Sequence, residues 1–226
     1  MEVVSHRGAG VLEPENTLLA IRKGIELGAD AVEIDVRATK DRKLVLMHDA
    51  ELERTTNSTG KLSEKTFGEL KDVDAGKGEK IPLFSEALAE VKGKLKIEVE
   101  IKEAGIEGLV VKEIEAAGME KDVLVISFFH TALKKVKELN PEIRTAVILF
   151  AQPIDFGSLI KEANADAVHT KLEYADREIA DSLKVDGKEL FISKILAEED
   201  FGKAKEMGAT GVSTDNPDKI IPLVKS

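Results

Sequence analysis

The chain has 226 residues, a formal net charge of -10 and no cysteine. This length suits one large domain, and no Ser- or Pro-rich linker divides it, so we expect a single domain over residues 1–226. The negative charge disfavours nucleic acid as a partner, because the phosphate backbone would be repelled. The lack of cysteine excludes disulfides, thiolate nucleophiles and cysteine-ligated metals, which leaves oxygen and nitrogen ligands.

The first residues and the composition bear on where the protein works. The chain enters a predicted strand directly, without the basic and apolar segments of a signal peptide, and no apolar run approaches the length of a membrane span. We therefore expect a soluble cytoplasmic protein without stable membrane insertion. Charged residues make up 34% of the chain and glutamine occurs once, a bias typical of thermophilic proteins. The sequence predicts no particular oligomeric state.

The first candidate site follows a short apolar run at the start of the chain. Residues 3–10 read VVSHRGAG, which predicts a strand that ends in a loop. A helical pattern follows, with Asn16 as its predicted N-cap and Gly28 as its stop. At the end of the strand His6 can exchange a proton near neutral pH, while Arg7 offers a planar donor fork for phosphate oxygens. The pair favours phosphate chemistry.

Two neighbouring predicted strands carry the next polar residues. Residues 31–37 read AVEIDVR, and this strict alternation places Glu33 and Asp35 on the same face of a strand. A connection too short for a helix leads to a second strand over residues 44–49, so the two strands should form an antiparallel hairpin. We expect Asp35 to lie opposite His48, close enough for carboxylate and imidazole to serve one site.

The rest of the chain predicts a repeating architecture. Residues 51–82 read as an insertion that covers the mouth of the site, with a short helix over residues 63–73. Residues 95–102 then alternate again, and their charged face needs a metal, a counter-charge or water. Strand and helix patterns repeat from there to the end of the chain. If the hairpin is counted as one unit, the chain has eight strand–helix units. The pattern predicts an α/β fold, a (β/α)8 TIM barrel with a small insertion after the second-strand hairpin.

Parallel barrels place their chemistry at the carboxyl ends of their strands. The candidates there are His6, Arg7, Glu33, Asp35, His48, Glu100, Lys102, Ser127, His169 and Asp215. The three acidic residues Glu33, Asp35 and Glu100 offer hard oxygen ligands, which suit one divalent cation, Mg²⁺ or Ca²⁺, with Mn²⁺ also possible. For His130 a capping or surface role is expected, whereas His169 leaves a structural role and a substrate contact both open.

Six short motifs are ordered along nearly the whole chain. They are HRGAG with PENT at 6–17, EIDV at 33–36, MHDAELERTT at 47–56, EIK at 100–102, SFF at 127–129 and TDNP at 214–217. Their combination resembles the glycerophosphodiester phosphodiesterase family, which has a GDPD-type barrel. The resemblance implies a metal-dependent enzyme that cleaves small-molecule glycerophosphodiesters to glycerol phosphate and an alcohol.

The resemblance also implies roles for individual residues. The implied acid–base pair is His6 and His48. The implied metal ligands are Glu33, Asp35 and Glu100. The residues assigned to phosphate or substrate binding are Arg7, Lys102, Ser127 and Phe128. The nucleophile implied by the family is the glycerol 2-hydroxyl of the substrate itself, which would give a cyclic phosphate that water then opens.

Two stretches depart from the family pattern. The family usually carries a tryptophan in a WTVN-like stretch where residues 192–196 of this chain read ISKIL, and the chain contains no tryptophan. Without that aromatic wall for a cationic headgroup, we expect low headgroup selectivity. Glu98 is charged where the family more often has a neutral side chain, and Lys194 is a candidate partner for it.

Two alternative functions stay open at this stage. One is a lysophospholipase D or a phosphatidylinositol-type phospholipase C on the same barrel, which an exposed hydrophobic rim would favour. The candidates for such a rim are Phe67, Phe84, Phe128 and Phe129. The other is a catalytically inactive barrel used for binding, which has no need for paired histidines and carboxylates.

Overall fold

The computed structural model describes residues 1–225. The strands in this part of the chain are β1 (Glu2–Ser5), β2 (Ala31–Ala38), β3 (Leu44–Leu46), β4 (Lys96–Ile101), β5 (Val123–Ser127), β6 (Arg144–Ile148), β7 (Ala167–Thr170), β8 (Glu189–Ile192) and β9 (Gly211–Thr214). The helices are α1 (Leu18–Leu27), α2 (Phe67–Leu70), α3 (Phe84–Val91), α4 (Glu107–Ala117), α5 (His130–Leu139), α6 (Phe156–Glu162), α7 (Arg177–Val185), α8 (Glu198–Met207) and α9 (Pro217–Lys225).

The strands other than β3 form a closed parallel barrel. Neighbours around it run β1, β2, β4, β5, β6, β7, β8 and β9, and β1 pairs in parallel with both β2 and β9. Strand β3 pairs with β2 in antiparallel orientation outside this ring. The predicted (β/α)8 barrel is therefore confirmed. Among the described residues, no helix has both the length and the apolar character needed to cross a membrane.

The alternation of β2 and β4 divides their side chains between two environments. Val32 and Ile34 belong to the main core, between the barrel wall and the surrounding helices. Glu33, which lies between them, points to the opposite face, because successive side chains of a strand alternate. In the parallel register of β2 and β4, Glu33 lies beside Glu98, and Asp35 lies beside Glu100. The polar faces of the two strands therefore meet inside the barrel.

The N-terminus of α1 differs from the prediction. Thr17 is the N-cap, and its hydroxyl accepts a hydrogen bond from the Ala20 amide at 3.2 Å. Asn16 instead has a φ of 58° and turns its side chain towards Asp35. The prediction of Asn16 as the cap is wrong because its side-chain amide donates to the buried carboxylate of Asp35 on β2. Gly28 ends the helix in the left-handed conformation, as predicted.

The hairpin forms, but its register differs from the prediction by one residue. Val36 pairs with Leu46, and the Met47 amide donates to the Asp35 carbonyl at 3.0 Å, so Asp35 lies opposite Met47 and not opposite His48. The cause is a three-residue loop that ends in Arg42 with a φ of 62°, a common hairpin connection.

The insertion packs a small core against β3. The buried side chains of this core are Leu52, Leu62, Leu70, Ala75 and Ile81 of the insertion, together with Val45 of β3 and Met47. A 3-10 turn over Leu62–Glu64 and the short α2 replace the single helix expected over residues 63–73. The interpretation of residues 1–226 as one domain with an insertion at about 51–82 stays a prediction, and residue 226 lies outside the described residues.

Close packing inside the barrel makes one glycine difficult to replace. A Cβ atom added to Gly211 would lie 2.5 Å from the Phe191 ring and 3.0 Å from the Glu2 carbonyl oxygen. We expect Gly211→Ala to lower the free energy of unfolding by about 1–3 kcal/mol, measured by urea titration. The control is Gly202→Ala in α8, where a Cβ meets nothing within 4 Å; it should stabilise the protein by about 0.5–1 kcal/mol. Equal stability of the two variants would contradict this packing argument.

Candidate active site

His6 directly follows β1 and is held by a carboxylate from the neighbouring strand. Its Nδ1 lies 2.5 Å from Oδ1 of Asp215, which follows β9. This hydrogen bond lowers the pKa of the Asp215 carboxyl, so an ionised oxygen accepts the Nδ1 proton. The other ring nitrogen, Nε2, lies 3.8 Å from Oε2 of Glu33. Asp215 therefore fixes the imidazole with Nε2 towards the carboxylates of the cavity.

His48 has the same arrangement after β3. Its Nδ1 lies 2.6 Å from Oδ1 of Asp49, and the guanidinium of Arg54 bonds the other oxygen of that carboxylate at 2.5 Å. The hydrogen bonds from Arg54 and His48 hold the pKa of Asp49 far below its usual range. Burial lowers the pKa of His48, and Asp49 opposes that shift. Each of the two histidines thus has one ring nitrogen on an aspartate and the other available.

Three buried carboxylates lie at the centre of the site. Oxygen atoms of Glu33, Asp35 and Glu100 lie within 4.8 Å of one another. Burial raises the pKa of Glu33 well above its usual value, and the charges of Asp35 and Glu100 raise it further. The pKa of Glu100 is also raised, by burial and then by Asp35. Burial opposes ionisation of Asp35 too, but the charges of Lys102 and Arg7 hold its pKa below the usual value.

These residues fit a divalent cation. Oε1 of Glu33 and Oδ1 of Asp35 are buried and have no hydrogen-bond partner among the described residues. Buried polar atoms without partners are costly, and carboxylate oxygens are the ligands that Mg²⁺ and Ca²⁺ prefer. A cation at this point would compensate both oxygens.

Two positive side chains flank the carboxylates. Nη1 of Arg7 bonds Glu15 at 2.9 Å, and its Nε lies 3.4 Å from Asp35. Nζ of Lys102 bonds Glu100 at 2.8 Å and lies 3.4 Å from Asp35. Both side chains line the same cavity as the two histidines. An anion that enters this cavity therefore meets two cations beside the carboxylates.

Comparisons with known proteins agree with this geometry. Residues 6–219 match the sequence model of the Glycerophosphoryl diester phosphodiesterase family. The chain belongs to this family. A glycerophosphodiester phosphodiesterase of Caldanaerobacter subterraneus subsp. tengcongensis is 32% identical over 236 residues, which cover 99% of this chain and 97% of the relative.

Solved structures of phosphodiesterases are also similar to this chain. A phosphodiesterase from Oleispira antarctica, in complex with the product sn-glycerol-3-phosphate, superposes with a TM-score of 0.91 at 27% identity and covers 100% of this chain and 97% of that one. A glycerophosphodiester phosphodiesterase from Thermotoga maritima has a TM-score of 0.81 at 28% identity and covers 98% of this chain and 97% of that one.

The cavity has a polar side and an apolar side. Its volume is about 170 Å³, and its apolar wall consists of Ile126, Phe128, Ile148 and Phe150. The rings of Phe128 and Phe150 meet edge to face with centroids 5.3 Å apart. Phe150 was not predicted from the sequence, because it follows β6 without a neighbouring polar motif. The prediction that Phe67 and Phe84 form a rim is wrong, since Phe84 lies in the main core and Phe67 packs on the core of the insertion.

Ser127 is not brought to the cavity. Its buried hydroxyl donates to the Ile101 carbonyl at 2.8 Å and accepts from the Phe129 amide at 3.0 Å. The side chain thereby fixes the loop that presents Phe128. Of the two residues predicted to contact substrate here, Phe128 lines the cavity and Ser127 does not.

The supporting residues of the site were largely missed in the sequence. Asp215 was a candidate and Asp49 lies within a quoted motif, but the sequence did not indicate that each of them bonds the Nδ1 of a histidine. Arg54 bonds both Asp49 and Glu15, and Glu15 in turn bonds Arg7. Sequence spacing gives no signal for these contacts, because they join the insertion to the loop after β1.

The structure also shows the contacts of His130, His169 and Glu98. His130 is the first residue of α5, and its Nε2 lies 3.1 Å from the Ile148 carbonyl oxygen. The residue is half-buried. The predicted capping or surface role is therefore matched only in part. The predicted partner of Glu98 was Lys194. The structure places His169 there instead, with its Nε2 3.3 Å from Oε1 of Glu98.

The raised pKa of Glu33 predicts a pH-dependent stability. A carboxyl whose pKa is higher in the folded protein stabilises folding below its unfolded pKa, and this contribution is lost as the pH rises through the folded pKa. In the presence of a chelator, the free energy of unfolding of the wild type minus that of Glu33→Gln should therefore fall as the pH rises from about 4.3, the pKa of an unfolded glutamate, into the alkaline range. Urea unfolding of both proteins across this range measures the difference, and a constant difference would contradict the shift.

Proposed function

We propose that the chain hydrolyses glycerophosphodiesters to glycerol phosphate and an alcohol, by two-histidine acid–base catalysis that depends on a divalent metal. One observation carries this proposal. His6 and His48 come from different elements, each has Nδ1 on an aspartate, and both line one cavity with three carboxylates and two cations. Two such histidines fit the two proton transfers of a diester cleavage. The names of the relatives support the same substrate class.

The charged residues would bind and polarise the phosphodiester. Arg7 presents a planar donor fork, and Lys102 presents a compact charge to the phosphate oxygens. Glu33, Asp35 and Glu100 would hold the cation, Mg²⁺ or Ca²⁺ with Mn²⁺ also possible, which supplies Lewis acidity when bound. The two positive side chains also orient the diester relative to the histidines.

The histidines would move the protons. One imidazole takes a proton from the attacking hydroxyl through Nε2, and the other gives a proton to the oxygen of the leaving alcohol. Asp49 and Asp215 hold the two Nδ1 positions, so both rings present the nitrogen that faces the cavity. The attacking group in this proposal is the glycerol 2-hydroxyl, and the cyclic phosphate that results is then opened by water.

A specific observation favours a second candidate function. Exposed apolar side chains lie on loops that follow the strands at the carboxyl end of the barrel: Val11, Phe128, Phe129, Ile154 and Leu196. Such a rim is the feature that would suit a lysolipid substrate, and thus lysophospholipase D activity.

For the hydrolysis of glycerophosphodiesters, the first candidate function, we further propose a cytoplasmic location and low selectivity for the headgroup.

Removal of either histidine tests the acid–base pair. We expect His6→Ala and His48→Ala each to lower kcat for glycerophosphoethanolamine by roughly 10²–10⁴-fold, because a proton-transfer group is lost. The measurement is the release of glycerol phosphate by the purified variants, with circular dichroism to check the fold. The control is His130→Ala, whose ring lies outside the lining of the cavity and whose loss should leave the rate close to that of the wild type.

The outcomes of this experiment separate the candidates. Near-normal turnover by either variant would end the assignment of that histidine. A wild-type enzyme that released more product from a lysolipid than from glycerophosphodiesters would favour lysophospholipase D activity. Similar rates with choline, ethanolamine and inositol esters are expected from the low selectivity for the headgroup.

A further inference from the structure

The floor of the cavity contains a buried pair that the proposed chemistry does not use. Glu98 lies on β4 and His169 on β7, with β5 and β6 between these strands in the sheet. The two side chains meet across the barrel interior, where Oε1 of Glu98 lies 3.3 Å from Nε2 of His169. Both residues are 2% exposed, and both line the cavity that contains the catalytic candidates.

The pair has unused hydrogen-bonding capacity. Oε2 of Glu98 and Nε2 of His169 have no hydrogen-bond partner within residues 1–225. The ring of His169 is held in place by stacking on Phe191, with centroids 4.7 Å apart and planes 6° from parallel. Oγ of Ser193 lies 3.4 Å from its Nδ1. The ring is fixed, and its Nε2 lies near Oε1 of Glu98 without a hydrogen bond to it. A ligand hydroxyl that donated to the carboxylate and accepted from the imidazole would satisfy both side chains.

The position of the pair relative to the phosphate-binding residues defines what it can contact. Glu98 lies beside Glu33 in the strand register and two residues before Glu100 on β4, one layer deeper in the barrel. If the phosphate of a diester meets Arg7 and Lys102, one end of the diester can extend towards Glu98 and His169 and the other end towards Phe128, because all of these residues line the same cavity. The enclosed end suits the constant, short polyol of the substrate, and the open end suits the variable alcohol.

We propose that Glu98 and His169 form a hydroxyl-binding subsite for the terminal hydroxyl of the glycerol unit, and this inference rests on the proposed phosphodiesterase function. A buried carboxylate beside an imidazole discriminates strongly between a hydroxyl and a methyl group. The methyl group leaves both polar atoms without partners, whereas the hydroxyl satisfies them. The subsite would therefore select glycerol esters over esters of simpler alcohols.

The test removes the terminal hydroxyl from the substrate and the subsite from the protein. The substrates are glycerophosphoethanolamine and its analogue with a terminal methyl group, which keeps the hydroxyl next to the phosphoester carbon. We expect kcat/KM of the wild type to be roughly 10- to 100-fold higher for the glycerol ester, as for loss of a hydrogen bond to a charged group. In Glu98→Gln and His169→Phe this ratio should fall towards one, while kcat/KM for the analogue stays close to the wild-type value.

Two controls keep the test specific. Glu113→Gln changes another carboxylate that has a buried oxygen without a partner, but one on α4 outside the cavity lining, and it should keep the wild-type ratio. Calorimetry then compares the affinity of the wild type for glycerol 3-phosphate and for 1,2-propanediol phosphate, where a preference of the same size is expected. This comparison needs no variant, so it decides the proposal even if a substituted protein does not fold.

The results can overturn the inference independently of the proposed function. Equal affinity of the wild type for the two phosphates, or variants that lower kcat/KM equally for both substrates, would show that the pair is only structural. Failure of the wild type to cleave either diester would contradict the phosphodiesterase function. In that case the affinity ratio alone would still support or contradict the subsite.

Discussion

Three buried carboxylates lie close together at the mouth of the barrel, and the surrounding residues have to compensate their negative charge. Glu33, Asp35 and Glu100 come from adjacent parallel strands, so their closeness follows from the fold itself. Like charges at such distances raise each other's pKa values and destabilise the folded protein. Arg7 and Lys102 offset part of this charge. One oxygen each of Glu33 and Asp35 has no hydrogen-bond partner among the described residues, and a bound cation would compensate these two oxygens.

Local backbone features position the groups that offset the charge. Arg7 has a φ of 53°, and its backbone amide donates to Glu33 at 2.9 Å while its guanidinium reaches Asp35. Asn16, also in the left-handed conformation, donates to the Asp35 carboxylate at 2.8 Å and accepts from the Asp35 amide at 3.0 Å. Two of the six non-glycine residues that have a positive φ in the described part of the chain thus lie beside the carboxylates, where the cost of strain is balanced by hydrogen bonds to charged groups.

The insertion is tied to the same charges through a chain of ion pairs. His48 bonds Asp49, Asp49 bonds Arg54, Arg54 bonds Glu15, and Glu15 bonds Arg7. Individual ion pairs at a partly exposed site contribute little to stability. A connected series nevertheless restricts the rotamers of its members. The orientation of the His48 ring therefore depends on residues of the insertion as well as on the barrel.

The sequence predicts those features that depend on periodicity. The alternation around Glu33 and Asp35 identified the inward-facing carboxylates, and the repeat of strands and helices identified the barrel. Contacts between distant segments carry no periodic signal, which is why the partner of Glu98 was predicted incorrectly. A single left-handed residue, Arg42, was enough to shift the hairpin register, and the conformation of Asn16 was equally invisible because a non-glycine residue gives little warning of a positive φ.

In the proposed function Glu33, Asp35 and Glu100 hold one divalent cation. Calorimetric titration of chelator-treated protein with Mg²⁺ and with Ca²⁺ measures this binding. We expect one bound cation per chain, an affinity at least about tenfold weaker in Glu100→Gln, and turnover that is lost on chelation and restored by the cation. Undetectable binding, or full turnover after elemental analysis has shown that the protein is free of metal, would contradict the claim.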